Sequence, residues 1–112
     1  MHLYLKENKM EDCIFCKIAN GQIPTDFVYK SDNVVVFNDI NPKARVHMLV
    51  VPKVHIKSLN ELEDKELMAE LLQTVKDVTK KLGITDYKTL INTGRGAGQE
   101  VFHLHIHILS NS

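Results

Sequence analysis

Near the end of the chain, three histidines alternate with apolar residues: residues 103–109 read His-Leu-His-Ile-His-Ile-Leu. In a β-strand successive side chains point to opposite faces, so all three imidazoles lie on one face. Leu104, Ile106 and Ile108 then lie on the other face, which packs into a core. Imidazole acts near neutral pH as a nucleophile, proton carrier, metal ligand or phosphate-binding cation. The chain is therefore expected to form a sheet in which one strand carries both a core face and a reactive face.

The composition is that of one globular domain. The 112 residues are 44% hydrophobic and 25% charged, which suffices for a single core. Fourteen basic and fourteen acidic side chains cancel, and no run rich in lysine and arginine is present. Binding to long nucleic acid is therefore disfavoured, whereas a single nucleotide in a pocket is compatible with this charge.

The N-terminal region and the cysteines indicate the compartment. Residues 1–9 differ in character from the rest of the chain, which predicts an N-terminal extension, open to disorder, ahead of a single domain over residues 10–112. No apolar run reaches transmembrane length, and residues 1–9 lack the apolar segment of a signal peptide. We therefore expect a cytoplasmic protein with no membrane partner, in which a disulfide between Cys13 and Cys16 is disfavoured.

Hydrophobic periodicity predicts the order of helices and strands. The clearest helix spans residues 64–82, where Leu67, Leu71 and Val75 recur at three- and four-residue steps, and Asp64 or Asn60 can cap it. The remaining elements are a short helix over 14–18, strands over Phe27–Lys30, Val34–Asn38, 46–51 and 87–92, a loop over 94–98, and the histidine strand over 101–109. Runs of strands with a segregated helix favour an α+β fold with a roughly five-stranded, largely antiparallel sheet.

The histidine row admits several uses. Alternate residues of a strand lie about 6.6–6.8 Å apart, so the three imidazoles form a row in which two neighbours can share a metal and all three cannot without a bend. A row suits a division of labour between a structural, a reactive and a substrate-contacting member. The alternatives are an exposed polar face and a pure metal site.

Two further segments can support chemistry. Residues 92–99, Asn-Thr-Gly-Arg-Gly-Ala-Gly-Gln, are either an anion-binding nest of backbone amides or a flexible connection, and they lack the ending of a P-loop. Cys13 and Cys16 can bind one zinc with His55 and a strand histidine, form a redox pair, or pack as free thiols. His47, inside an apolar strand, is a core histidine or a support for the row.

Several segments together resemble the histidine triad (HIT) superfamily. Besides the His-x-His-x-His run, they are residues 13–18 (Cys-Ile-Phe-Cys-Lys-Ile), 37–42 (Phe-Asn-Asp-Ile-Asn-Pro), 47–55 (His-Met-Leu-Val-Val-Pro-Lys-Val-His) and 98–103 (Gly-Gln-Glu-Val-Phe-His). They occur in the family's order from about Asp12 to the end of the chain. The chain is most similar to the Hint-like branch, which comprises homodimeric purine nucleotide phosphoramidases and hydrolases, and its cysteine pair is similar to that of bacterial members with structural zinc.

The resemblance implies catalytic and metal-binding roles. His105 would attack the α-phosphate of a nucleoside 5′-phosphoramidate or a related nucleotide, giving a nucleotidyl-histidine that water hydrolyses, with no catalytic metal. His107 would donate to the phosphate oxygens and His47 would support the site. His103 would complete a zinc site or support the other histidines. The implied sets are His105, His107, His103 and His47 for catalysis, and Cys13, Cys16, His55 and His103 for zinc.

The resemblance also implies a binding site for an AMP- or GMP-like substrate. Asp39 would bind the ribose, apolar side chains would line the base pocket, and Asn92 and Gln99 would reach the phosphate and leaving group, with amides near residues 98–101 holding developing charge. The implied set is Ile14, Phe15, Ile18, Phe37, Asn38, Asp39, Ile40, Asn92, Gly98, Gln99, Glu100, Val101 and His107.

Two departures from the family pattern bear on the substrate. Glu100 stands where many Hint-like proteins have a serine; a carboxylate there repels a second phosphate and can pair with an amine. Only residues 110–112 follow the motif, so part of the usual specificity surface is expected to be missing. The alternatives are a nucleotide-binding regulator with little turnover, a dinucleoside polyphosphate hydrolase, a structural zinc module, and a nucleotidyl transferase, which His107 disfavours because that branch carries glutamine there.

Overall fold

The fold is a five-stranded antiparallel sheet with one long and one short helix, which confirms the predicted α+β class. A computed structural model describes residues 12–112, so the predicted extension over residues 1–9 lies outside the described residues. The helices are α1 Ile14–Ala19 and α2 Lys65–Lys81, and the strands are β1 Phe27–Lys30, β2 Val34–Asn38, β3 Val46–Pro52, β4 Lys88–Leu90 and β5 Ile106–Ser110. The strands lie side by side in the order β1-β2-β3-β5-β4, and all neighbouring pairs are antiparallel.

Helix α2 forms where the periodic leucines and valines predict it. Its first turn is capped by Asp64, whose Oδ1 accepts a hydrogen bond from the Leu67 amide at 3.1 Å, so Asp64 is the cap rather than Asn60. It ends before Gly83, whose φ of 72° is a conformation that glycine adopts at little cost. Within residues 12–112, neither helix is long and apolar enough to cross a membrane.

The two faces of the sheet carry separate cores. On the helix face, α2 packs against alternate residues of the central strands, including Met48 and Val50 of β3. On the opposite face, which we call the histidine face, Leu49 and Val51 pack with α1. The side chains of β3 thus alternate between the two faces, and His47 lies on the histidine face with Leu49 and Val51.

The histidine strand is shorter than predicted. The prediction of a strand over residues 101–109 is wrong at its N-terminal end, because β5 begins only at Ile106. The Leu104 amide donates to the Ile56 carbonyl at 2.7 Å, in a segment outside the sheet. The faces still alternate, since Leu104 packs into the helix-face core with Ile106 and Ile108. The rings of His103 and His105 lie on the other side, where both meet Phe15 of α1.

Several other boundaries differ from the prediction by one or two residues. Strand β4 is confined to Lys88–Leu90 instead of residues 87–92. Residues 92–99, which we call the glycine segment, contain a 3₁₀ turn over Arg95–Ala97 within the loop predicted over 94–98. Helix α1 and strand β3 each extend one residue beyond the prediction, to Ala19 and Pro52. None of these shifts moves a side chain to the other face.

Candidate active site and metal centre

A cavity of about 800 Å³ opens on the histidine face, bounded by α1, the β2–β3 connection and the glycine segment. Two of the three row histidines, His105 and His107, line it together with His47. The predicted binding residues that also line it are Ile14, Phe15, Ile18, Phe37, Asn38, Asp39, Ile40, Asn92, Gly98, Glu100 and Val101.

Sequence reasoning missed part of the lining. Leu49 and Leu109 share faces with His47 and His107, so strand alternation was a signal that could have found them. The others lie in loops or on the edge strand, where no periodic pattern marks which side a residue faces. They are Ile23, Pro24, Thr25, Asn41, Lys43, Lys88 and Leu90.

His105 has one ring nitrogen held and the other available. Its Nδ1 lies 2.7 Å from the main-chain oxygen of His103. A carbonyl oxygen only accepts, so Nδ1 carries the hydrogen and Nε2 keeps its lone pair. Burial lowers the pKa of His105, although the bond to His103 opposes the shift. A neutral imidazole with a lone pair at Nε2 is a competent nucleophile in the wall of the cavity.

His107 has the opposite tautomer, with its hydrogen on Nε2, and a hydrogen bond from His47 fixes it. The Lys43 amide donates to His47 Nδ1 at 3.0 Å, so the hydrogen of His47 is on Nε2. That N–H donates to His107 Nδ1 at 2.9 Å, which places the hydrogen of His107 on Nε2. His107 Nε2 is buried and has no hydrogen-bond partner among residues 12–112. It is therefore a donor that lacks an acceptor, and its ring centroid lies 4.9 Å from that of His105.

Burial is the main electrostatic influence on His107. It lowers the pKa of His107 to about 4, with smaller contributions from the neighbouring charges of His105 and His47. At neutral pH the side chain is thus an uncharged N–H donor and not an imidazolium.

Asp39 extends this hydrogen-bonded chain to the cavity rim. Its Oδ2 lies 3.4 Å from His47 Nε2, and its Oδ1 accepts from the Asn41 amide at 2.8 Å. Asp39, His47 and His107 are close enough to suggest a cation site. However, the nitrogen that His47 would offer already carries a hydrogen, so this trio is a hydrogen-bonded relay and not a metal site.

The four predicted zinc ligands meet at a second place. The donor atoms of Cys13, Cys16, His55 and His103 all lie within 4.8 Å of one another. The short sulfur–nitrogen distances are 3.2 Å from Cys13 to His103, 3.3 Å from Cys16 to His55 and 3.5 Å from Cys16 to His103. Tetrahedral zinc, with bonds of about 2.3 Å to sulfur and 2.0–2.1 Å to nitrogen, spaces such ligands roughly 3.5 Å apart. The donor set therefore fits zinc.

The protonation of these ligands also suits a cation. The His103 Nε2 hydrogen is donated to the Pro52 carbonyl at 2.7 Å, which leaves Nδ1 with a lone pair directed at the sulfurs. Burial, with Cys13 beside it, raises the pKa of Cys16 to about 12, so the thiol stays neutral unless a cation compensates. His103 is fully buried and lies outside the cavity lining, which separates it from His105 and His107.

Gln99 occupies a different position from the one the resemblance implied. It is 3% exposed and does not line the cavity. Its Oε1 accepts from the Gly94 amide at 2.8 Å, while its Nε2 donates to the carbonyls of Lys57 and Val101 at 2.8 and 3.0 Å. The side chain holds the glycine segment in shape.

The glycine segment uses four of its backbone amides internally, those of Gly94, Ala97, Gly98 and Gln99, which disfavours the anion-binding nest. The Gly98 amide donates to the Arg95 carbonyl at 3.0 Å and the Gln99 amide donates to the Gly94 carbonyl at 3.1 Å. Gly94 and Gly98 have φ values of 90° and 95°, which only glycine adopts readily. These positions therefore shape the turn that presents residues 100–101 to the cavity.

One family model and several curated proteins match most of this chain. The family model described as "Scavenger mRNA decapping enzyme C-term binding" matches residues 12–112. Protein HitA of Neisseria gonorrhoeae is 52% identical over 103 residues, which cover 89% of this chain and 96% of HitA. The purine nucleoside phosphoramidase of Escherichia coli K12 is 36% identical over 103 residues, which cover 88% of this chain and 87% of that enzyme.

Solved structures agree in fold. A histidine triad protein from Clostridium difficile superposes with a TM-score of 0.85 at 46% identity, covering 90% of this chain and 91% of the other. A HIT family hydrolase from Legionella pneumophila Philadelphia 1 superposes with a TM-score of 0.84 at 39% identity, covering 89% and 93%.

Proposed function

Because this chain belongs to the histidine triad (HIT) family, we propose that it is a purine nucleotide hydrolase with His105 as the nucleophile. The observation that carries the proposal is the 2.7 Å hydrogen bond from His105 Nδ1 to the His103 carbonyl. It fixes the tautomer in which Nε2 is free to attack phosphorus. The preferred substrate class is the nucleoside 5′-phosphoramidates, in line with the name of the Escherichia coli relative.

The reaction proceeds in two displacements. His105 Nε2 forms a bond to the α-phosphorus while the P–N bond breaks, and the departing amine takes up a proton from solvent, which is returned when water is consumed in the second step. Water then attacks the nucleotidyl-histidine, which releases the nucleoside monophosphate and restores the imidazole. His107 Nε2–H, the buried donor without a partner, supplies a hydrogen bond to the phosphate oxygens as their charge builds up. The amides of residues 100–101 can add to this, since those of Gly98 and Gln99 are engaged within the loop.

The remainder of the cavity suits a nucleoside. One wall is apolar and can accept a purine: Ile14, Phe15, Ile18, Phe37 and Ile40. Asp39, at the rim, offers carboxylate oxygens to the ribose hydroxyls. Glu100 also lines the cavity, where its carboxylate disfavours a second phosphate and so favours phosphoramidates over dinucleoside polyphosphates.

A structural zinc completes the proposal. Cys13, Cys16, His55 and His103 would hold it. When bound, zinc supplies a cross-link that joins α1 to the segments around residues 55 and 103. The chemistry at His105 needs no contribution from it.

We also propose that the protein works as a homodimer formed along the β4 edge. Glu70 of α2 contacts Asn33 and Ser31 in the β1–β2 turn at 3.1 and 3.3 Å. Met68 and Leu72 lie two residues to either side of Glu70, about 200° around the helix, so their flank faces the β4 end of the sheet. Both are exposed, as is Leu90 on β4 itself. A second copy that pairs with this edge strand would cover all three side chains.

The decisive experiment is a substrate panel. Purified protein is incubated with adenosine and guanosine phosphoramidates and with dinucleoside polyphosphates, and the release of nucleoside monophosphate is measured. We expect turnover of the phosphoramidates, with values of kcat/KM well above those for the dinucleotides. Tight binding of AMP without hydrolysis of any member would contradict the enzyme and favour a nucleotide-binding regulator.

A further inference from the structure

The metal centre and the nucleotide cavity share structural elements. We propose that they are coupled, so that metal bound by Cys13, Cys16, His55 and His103 strengthens nucleotide binding, and bound nucleotide slows metal release. The choice of ligand rests on the proposed function, whereas the coupling itself rests on contacts between the two sites.

The first connection is the main chain of His103. Its side-chain Nδ1 is one of the four metal donors, while its carbonyl oxygen accepts the hydrogen bond that orients His105. The next residue, Leu104, donates its amide to the Ile56 carbonyl at 2.7 Å, beside the third ligand, His55. A metal that fixes residues 55 and 103 therefore also fixes the acceptor that sets the His105 ring.

The second connection is Phe15, which lies in the sequence between the two cysteine ligands. Its ring meets the His105 ring edge-on, with centroids 5.0 Å apart at 89°. It also meets the rings of Phe37 at 5.6 Å and His103 at 6.0 Å. Because Phe15 lines the cavity as well, one side chain touches the nucleophile, a metal ligand and the site for the base.

Helix α1 joins the metal centre to the cavity wall. It has six residues, fewer than two turns, and a helix of that length does not persist by itself in water. Its N-terminus is Cys13, whose sulfur also accepts the Cys16 amide at 3.3 Å. Loss of the metal would therefore loosen the helix that carries Ile14, Phe15 and Ile18 along the cavity wall.

Coupling between two binding sites is reciprocal, which gives it a signature other than activity. If metal raises the affinity for a nucleotide by some factor, the nucleotide raises the affinity for metal by the same factor. Couplings in proteins commonly fall between about 5- and 150-fold, and we expect roughly tenfold here.

The test measures metal release. Zinc-loaded protein is mixed with a chromogenic chelator, with and without saturating AMP, and the rate of zinc transfer is followed by absorbance. We expect AMP to slow transfer several-fold, because the proposed coupling acts on metal release. Unchanged transfer rates with AMP bound would overturn the coupling.

A cobalt-substituted protein provides a second readout that does not require the metal-free chain to fold. The visible absorption bands of tetrahedral cobalt report the geometry of its ligands. Addition of AMP should shift these bands, because the contacts of His103 and Phe15 change when the cavity fills. Bands that remain identical in AMP-saturated protein would contradict the proposal.

Two variants separate the Phe15 route from general stabilisation. Phe15→Leu removes the aromatic contacts to His105 while keeping an apolar side chain, and Ile40→Ala trims the cavity on the opposite loop. At saturating AMP, we expect the effect on zinc transfer to fall several-fold in Phe15→Leu and to persist in Ile40→Ala. Equal effects in both variants and the wild type would overturn the role of Phe15 as a positioning residue.

Calorimetric measurement of AMP and GMP binding distinguishes a failure of this proposal from a failure of the proposed function. Absence of binding by both AMP and GMP would overturn the proposed function and the coupling together. Nucleotide binding with unaltered metal release and unaltered cobalt bands would overturn the coupling alone.

Discussion

At the scale of single residues, backbone groups determine what each imidazole can do. His103 donates from Nε2 to Pro52, His105 donates from Nδ1 to His103, and His47 accepts at Nδ1 from Lys43. Each partner has only one possible role, so each fixes a tautomer. Three histidines that are equivalent by spacing thus differ in which ring nitrogen is left with a lone pair or a hydrogen, and the proposed function assigns them the roles of metal ligand, nucleophile and hydrogen-bond donor.

Replacement of His105 by alanine tests the nucleophile. His105→Ala removes the atom that bonds to phosphorus, so we expect kcat on an adenosine phosphoramidate to fall by about 10⁴-fold or more. The fold should survive, since within residues 12–112 the side chain makes a single hydrogen bond, with a net contribution of about 1 kcal/mol to the free energy of unfolding. Circular dichroism and urea unfolding provide the control. Near-wild-type turnover would refute the mechanism.

His107 predicts a dependence of stability on pH. In the folded protein its pKa is lowered to about 4 from 6.5, so below pH 6.5 the unfolded chain binds more protons at this residue. The contribution of the uncharged His107 to the free energy of unfolding is therefore present above pH 6.5 and is lost as the pH falls toward 4. His107→Gln removes this contribution, and we expect its unfolding free energy to decline less steeply over that interval.

Urea unfolding at several pH values measures the difference between the wild type and His107→Gln. Acid also protonates the metal ligands, but that effect is common to both proteins and cancels in the comparison. Parallel curves for the two proteins between pH 6.5 and 4 would show that His107 is not held neutral by burial.

At the scale of elements, the buried side-chain amide of Gln99 holds the glycine segment in shape. Gln99 bonds three main-chain groups, from Lys57, Gly94 and Val101, and so connects the segment to the loop ahead of α2 and to the approach to β5. A side chain implied to meet the leaving group instead holds residues 100–101 in position. Its contribution to catalysis would be indirect, through the placement of Glu100.

Replacement of Gln99 by alanine should therefore destabilise the protein. Gln99→Ala leaves three main-chain groups without their partner, and we expect a loss of about 2–4 kcal/mol in the free energy of unfolding. Gln73→Ala is the matched control, because Gln73 lies exposed on α2 and its side-chain Nε2 donates to Asp77 Oδ1, on the same helix, at 2.9 Å. It should cost about 0.5 kcal/mol or less. Equal losses in the two variants would contradict the bracing role.

At the scale of the whole molecule, the sheet separates two layers with different tasks. The helix-face core joins α2 to the central strands, while the histidine face carries both the cavity and the candidate metal centre. The β4 end of the sheet has exposed apolar side chains on either side of an edge strand: Met68 and Leu72 on α2, and Leu90 on β4. Such an edge is expected to be covered by a second copy.

A charged residue on this flank should disrupt the dimer. Sedimentation of the wild type should give about twice the chain mass of 12.8 kDa. Leu72→Glu places a carboxylate in the interface, and we expect it to shift the protein to monomer at micromolar concentration. Val54→Glu is the control, since Val54 is 58% exposed and lies near Asn33 at the other end of the sheet. A wild-type monomer would exclude the proposed edge.

Local patterns predicted much of the fold. Strands β1 and β2 have the predicted bounds, because β-branched and aromatic runs flank a clear turn signal. Helix α2 begins and ends within one residue of the prediction, because its apolar periodicity, its cap Asp64 and the glycine that follows it, Gly83, all indicate the same bounds. The predicted start of β5 was wrong. A strand forms only where its backbone hydrogen-bonds to a partner strand, and the Leu104 amide instead bonds Ile56 outside the sheet. Alternation alone carries no information about that partner.

The sequence by itself determined which side chains share a face. Spacing and alternation are local properties of the backbone, and they place the three histidines opposite Leu104, Ile106 and Ile108 whether or not a ladder forms. Only the tertiary structure decided how those histidines differ. His107 meets His47 from 60 residues away and His103 meets Pro52 from 51 residues away. A tautomer depends on the group opposite each nitrogen, and that group is set by long-range packing.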